Sequence, residues 1–122
     1  MSKFVIRTGS AGVKFALKAD NGQTIAGSEV YDSRAACLRG VQSVQKNAPI
    51  AKLEDQTAEG YKVCTNPKFE IFRDKAGQYR FRLKARNAQV IAASEGYTTK
   101  AACLSGVQSV QSCAATAELT DE

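Results

Sequence analysis

Four basic side chains, Arg80, Arg82, Lys84 and Arg86, occupy every second position of one stretch of the chain. On an extended strand such a run points to one side, with successive charges about 6.5–7 Å apart, close to the phosphate spacing of a stretched nucleic-acid strand. Phe72, which the hairpin register sets opposite Arg80, adds a ring on which a base can stack. Basic groups interleaved with an aromatic are how sequence-tolerant single-strand binders work. These five residues form the candidate anion or nucleic-acid face. The same pattern also suits a solvated sheet face, partly neutralised by Glu70 across from Arg82, with long stems lying over apolar surface.

Other chemistries are excluded by what the chain lacks. It has no His, so there is no His-based triad, imidazole metal site or neutral-pH imidazole shuttle. The cysteines, Cys37, Cys64, Cys103 and Cys113, form no Cys-x-x-Cys pair, and no metal site is expected. Cys37 and Cys103 read as small core residues, which leaves Cys64 and Cys113 as the thiols placed to react. Free thiols are expected for all four, with a Cys64–Cys113 bridge as the alternative. Glu29 and Glu95 precede the two helices and suit the free N–H groups there. A paired-carboxylate hydrolase would need them about 5–10 Å apart, and no nucleophile accompanies them. Gly9-Ser10-Ala11-Gly12 lacks the spacing of a phosphate loop. No catalytic residue and no cofactor is assigned.

The 122 residues and 13.1 kDa suit one domain with a core of its own. Residues 1–47 hold seven Lys/Arg and three Asp/Glu, 48–67 hold two and three, and 68–122 hold eight and six. The excess of positive charge fits an anionic partner and fits plain solubility equally well. Three of the last six acids, Glu118, Asp121 and Glu122, lie in the tail. No apolar run approaches the roughly 20 residues of a membrane span, and Met1-Ser2-Lys3-Phe4 opens no signal peptide. The expectation is a cytoplasmic protein without a membrane partner.

The elements that would position these groups are written twice. Residues 15–56 match 81–122 at a constant offset of 66, with about 25 of 42 positions identical. Lys3-Phe4-Val5-Ile6 matches Lys68-Phe69-Glu70-Ile71 at offset 65. Each copy reads as three strands followed by a helix. Tyr79, Phe81, Leu83 and Ala85 alternate with the basic residues, the period of a half-buried antiparallel strand. Pairing Ile71 with Phe81 and Phe69 with Leu83 keeps all four inward. In the second hairpin a bulged Gly22 places Ile25 across from Leu17, and Ala88 takes the left-handed position of Gly22. Ser33 and Thr99 offer N-caps, with Tyr31 and Tyr97 stapling the entries. Asn47 and Pro49 stop the first helix, and the second runs to about Ser112. The helices bury Cys37, Gly40, Val41 and Val44 and their counterparts. Gly40 and Gly106, each in mid-helix, imply a close approach. Residues 50–55 and 116–121 suit a short extra strand or a loose arm.

One copy buries too little surface to stand alone. The fold class is therefore α+β: two tandem β-β-β-α repeats joined in one antiparallel sheet, both helices on one face, around an internal pseudo-twofold. Residues 1–122 read as a single domain with repeat one at 1–56, a joint at 57–67 and repeat two at 68–122. A monomer is expected.

Phe69-Glu70-Ile71, Gly77 to Ala85, Asn87 with Ile91, Ser94-Glu95-Gly96-Tyr97, Lys100-Ala101-Ala102-Cys103 and Gly106 to Val110 together resemble the YegP-like family of small tandem-repeat proteins. The resemblance spans both copies; Val13 and Ala16 depart from it. It implies β-β-β-α units merged into one sheet, with helices exchanged between halves, and it carries no activity. The functional expectation is a non-enzymatic binding or interaction module with a protein or nucleic-acid partner. The alternative is weak, sequence-tolerant nucleic-acid binding through the basic strand of repeat two.

Overall fold

The computed structural model describes residues 2–121 of the chain. Met1, which opens the start read above, and Glu122, which closes the acidic tail, lie outside the described residues. In chain order the elements are β1 (Lys3–Gly9), β2 (Gly12–Lys18), β3 (Thr24–Gly27), α1 (Arg34–Asn47), β4 (Lys52–Asp55), β5 (Lys68–Arg73), β6 (Tyr79–Lys84), β7 (Val90–Ala93), α2 (Lys100–Cys113) and β8 (Glu118–Asp121). All eight strands join one sheet in the order β4-β5-β6-β7-β3-β2-β1-β8.

The hairpin registers follow from alternation. Ile71 faces Phe81, Phe69 faces Leu83, Glu70 faces Arg82 and Phe72 faces Arg80. A slip of one residue would turn Phe69, Ile71, Phe81 and Leu83 outward, and all four are buried. The first hairpin repeats the register, with Phe4 facing Leu17 and Ile6 facing Phe15.

The sheet is mixed, which corrects the expected all-antiparallel one. β4 runs parallel to β5, and β8 runs parallel to β1. Residues 50–55 and 116–121 do supply extra strands, but each joins the half of the sheet to which it does not belong in sequence. Parallel neighbours need a crossover, which the 56–67 connection provides between β4 and β5. β3 and β7 join the two halves through the single pair Gly27 and Ala93.

A second correction concerns the bulge. Leu17 faces Ala26 and Lys18 faces Thr24, so the extra residue is Ile25 itself, within the strand and not in the turn. Ile25 still packs against the core, because a bulge can turn two successive side chains toward the same face. Gly22 (φ 83°) and Ala88 (φ 70°) hold the left-handed positions of the two turns.

Ser33 Oγ and Thr99 Oγ1 cap the helices, each accepting at 3.1 Å from the N–H of Ala36 or Ala102. α1 covers β1 and β2 and reaches β7, while α2 covers β6 and reaches β3. Cys37, Val41 and Val44, with Cys103, Val107 and Val110, close one cluster of buried side chains that includes Phe4 and Phe15 of the first hairpin and Phe69 and Phe81 of the second. The mid-helix glycines make room for the stapling tyrosines: the Tyr97 ring stacks 6.4 Å from Phe81, and a methyl group on Gly106 would stand 2.6 Å from the Tyr97 hydroxyl. Among the described residues no helix is long and apolar enough to cross a membrane.

Candidate functional site

With both helices on one face, strand alternation sends Arg80, Arg82 and Lys84 to the other, opposite Phe72, Glu70 and Lys68 respectively. Arg86 does not extend this ladder. β6 ends at Lys84, and the turn closed by the Ala88 N–H on the Ala85 carbonyl at 2.9 Å carries Arg86 away. It borders a hollow of about 360 Å³ beside Arg39, Gln42, Ser43 and Lys46 of α1.

The three remaining cations are engaged. Arg80 Nε donates to Asp74 at 2.6 Å, and Arg82 Nε donates to Glu70 at 2.5 Å. Lys84 Nζ lies 3.5 Å from the same Glu70 carboxylate. The Arg82 guanidinium also sits 4.6 Å from the centroid of the Phe72 ring, so the aromatic is already covered.

Beneath the ladder lies a buried ion-pair network that the sequence reading did not contain. Glu54 and Glu70 are neighbours across the parallel pair of β4 and β5 and are 2% and 3% exposed. Lys68 Nζ bridges them at 2.8 and 3.3 Å, and the Gln56 amide donates to both at 2.7 and 3.1 Å. The Cys64 N–H completes the set, donating to Glu54 at 2.7 Å. Burial pushes the Glu54 carboxyl up, but the hydrogen bonds from Lys68, Gln56 and Cys64 outweigh it and hold the group at about 2. Burial likewise pushes Glu70 up, and Arg82 and Lys68 pull it below the ordinary carboxylate range. The hydrogen bond to Glu54 raises Lys68. The signal for this network was a carboxylate at an outward position of the short stretch Lys52-Leu53-Glu54-Asp55, whose pairing with β5 pattern alone does not reveal.

The first half differs at the corresponding register. Where Glu70 faces Arg82, Val5 faces Ala16; where Glu54 flanks Glu70, Thr120 flanks Val5. The surrounding cations remain, with Lys3 facing Lys18 and Arg7 facing Lys14. The missing side chains leave a hollow of about 290 Å³ over the first-half sheet. Ala16, one of the two positions that depart from the family pattern, helps to make that face concave.

Glu95 borders the hollow over the first half, whereas Glu29 borders a separate hollow at the joint between β3 and β7. All four cysteines are free thiols, Cys37 and Cys103 fully buried. Burial raises the Cys103 thiol to about 11.

Comparison with known proteins places this geometry among relatives without an assigned activity. Residues 11–55 and 74–121 match the family described as Domain of unknown function (DUF1508). A UPF0339 protein of Photorhabdus laumondii is 41% identical over 103 residues, covering 84% of this chain and 77% of the relative. A UPF0339 protein of Methanosarcina acetivorans is 50% identical over 52 residues, which is 90% of that protein and 43% of this chain. The solution structure of YegP from Escherichia coli, a protein of unknown function, superposes with a TM-score of 0.81 at 29% identity, covering 99% of this chain and 92% of that one.

Proposed function

This chain belongs to the DUF1508 family, and from that premise we propose that it is a non-enzymatic binding module, working in the cytoplasm, that takes an anionic partner on the outer face of its sheet. The observation that carries the reading is the charge of that face. Lys14 and Lys18 project from β2, each facing a cation of β1 across the hairpin, Arg7 and Lys3 respectively. An open face with an excess of positive charge raises the local concentration of an anionic partner and speeds encounter. In the second half Asp74 and Glu70 already offset the cations, so the first half is the stronger attractor.

The same reading takes residues 1–122 as one domain of two interlocked repeats, 1–56 and 68–122, joined at 57–67. Its supports are the double match to the family, the half-length archaeal relative and the single core cluster. The exchange expected of the helices is carried furthest by β4 and β8, with each helix reaching one strand of the other half.

Heparin is a suitable sequence-free polyanion for the test. Retention on it falls steeply with salt, and Lys14→Glu with Lys18→Glu elutes much earlier than the control Arg39→Glu with Lys46→Glu on α1. Equal shifts for the two double variants, or no retention at low salt, overturn the reading.

A second reading, single-stranded nucleic acid along β6, is favoured by the Arg82 guanidinium standing 4.6 Å from the centroid of the Phe72 ring, a cation and an aromatic side by side on one face. Arg80→Ala with Arg82→Ala abolishes oligonucleotide binding if this strand is the site, and leaves it intact if the first half is.

A further inference from the structure

We propose that the hollow over β1–β3 is a binding site for a small phosphorylated molecule that also carries a hydroxyl or amino group. The proposal rests on the outer face being the binding face, and it names what the first half takes there. The site arises from a substitution within an otherwise shared register. In the second half, Arg82 and Glu70 pair over the middle of the hairpin and fill it. Val5 and Ala16 stand at those positions in the first half and form a low apolar floor. Lys14 and Lys18 flank Ala16 along β2, so their ammonium groups rise on either side of the floor with Arg7 on the adjoining strand. Neither lysine forms an ion pair with a described residue. Two ammonium groups over a recess about one side chain deep match a phosphate dianion, to which lysine binds as a point charge.

The remaining wall restricts the ligand further. The Ser28 hydroxyl is spent, donating to the Glu29 carbonyl at 2.8 Å and accepting from the Phe15 N–H at 2.9 Å. Thr24 is left as the hydroxyl that can meet a ligand. Glu95 enters from the second half. Its carboxylate repels a bare anion on that side and accepts a hydrogen bond from a donor, which selects a molecule with phosphate at one end and a hydroxyl or amine at the other. A volume of about 290 Å³ lies at the lower end of ligand pockets, so the molecule is small.

The test is an amide chemical-shift titration of the full chain with phosphoethanolamine, inorganic phosphate and ethanolamine. Shifts centred on Val5, Ala16 and Gly27 are expected with the first at millimolar or tighter affinity, weaker with the second and absent with the third. Lys14→Gln with Lys18→Gln weakens phosphoethanolamine by about tenfold or more. Glu95→Gln abolishes its preference over inorganic phosphate. Val5→Glu with Ala16→Arg rebuilds the second-half pair and closes the hollow at unchanged net charge, so it removes phosphoethanolamine binding while heparin retention persists. Shifts scattered over the surface, or unchanged by the lysine variant, overturn the proposal. Heparin retention without phosphoethanolamine binding overturns it while sparing the wider reading; loss of both overturns the two together.

Discussion

Asp121, in the last strand, holds the guanidinium of Arg34, the first residue of α1, through two hydrogen bonds of 2.8 and 3.1 Å. Sixty-six positions away in each partner, Asp55 of β4 pairs with Lys100, the first residue of α2. Each contact ties the strand that ends one half to the helix that opens in the other. A cation at a helix N-terminus opposes the helix dipole, and the carboxylate offsets it. Asp55→Asn is expected to cost about 1 kcal/mol or less, with a double-mutant cycle against Lys100→Met returning a coupling of that size. Urea denaturation at low and high salt checks this, and the coupling shrinks at high salt.

Glu54 governs acid stability. Its ordinary value of 4.5 falls to about 2 in the folded chain. Between those values the unfolded chain binds more protons than the folded one, so acidification favours unfolding there. The contribution is fully present above pH 4.5 and lost as pH falls through about 2. Glu54→Gln leaves Lys68 with Glu70 alone and is expected to destabilise by about 3 kcal/mol at neutral pH. The variant also loses stability less steeply in acid, which a series of thermal melts from pH 7 downward measures.

Gly106 inverts the usual helix preference. Gly→Ala in a helix interior normally stabilises by up to about 1 kcal/mol. Here the added methyl would stand 2.6 Å from the Tyr97 hydroxyl and 2.9 Å from Phe81. Gly106→Ala therefore lowers Tm, and adding Tyr97→Phe recovers part of the loss by removing the nearer obstacle.

Thiol reactivity divides by burial. Burial holds Cys37 above its ordinary range and Cys103 at about 11, so few thiolates form at neutral pH. Native alkylation with iodoacetamide, followed by mass spectrometry, modifies Cys64 and Cys113 first. Cys37 and Cys103 react only once denaturant opens the core.

Much of this was legible in the residues. The pairing of Glu70 with Arg82 follows from keeping Phe69, Ile71, Phe81 and Leu83 inward, because alternation leaves one acceptable register. The edges were not legible. Lys52-Leu53-Glu54-Asp55 and Glu118-Leu119-Thr120-Asp121 offer one apolar residue apiece, too little periodicity to name a partner, and β8 pairs with a strand over a hundred positions away. The bulge at Ile25 escaped because a turn-based register buries the same residue. Of the basic ladder, Arg80, Arg82 and Lys84 share one face while Arg86 leaves it with the turn, and the network of Lys68, Glu54 and Gln56 around Glu70 depended on strands whose pairing was unknown. The hollow of the first half was visible only as two small residues, Val5 and Ala16, until their register was fixed.

Cutting the chain tests the interlock. Residues 1–66 contain β1 without β8 and β4 without β5, so Phe4 and Leu53 lose Leu119 and Phe69 as neighbours. The fragment is expected to give no cooperative melt as a monomer, by sedimentation and calorimetry in parallel. Mixing it with residues 68–122 restores the transition.

The parallel pairing of β1 and β8 also fixes how the molecule meets a pull. Lys3 lies beside Glu118 and Ile6 beside Asp121, so traction applied ahead of Lys3 and beyond Asp121 draws the two strands along each other in opposite directions. Their ladder is sheared and must give way together, not unzipped rung by rung, and the terminal seam becomes the mechanical clamp of the structure.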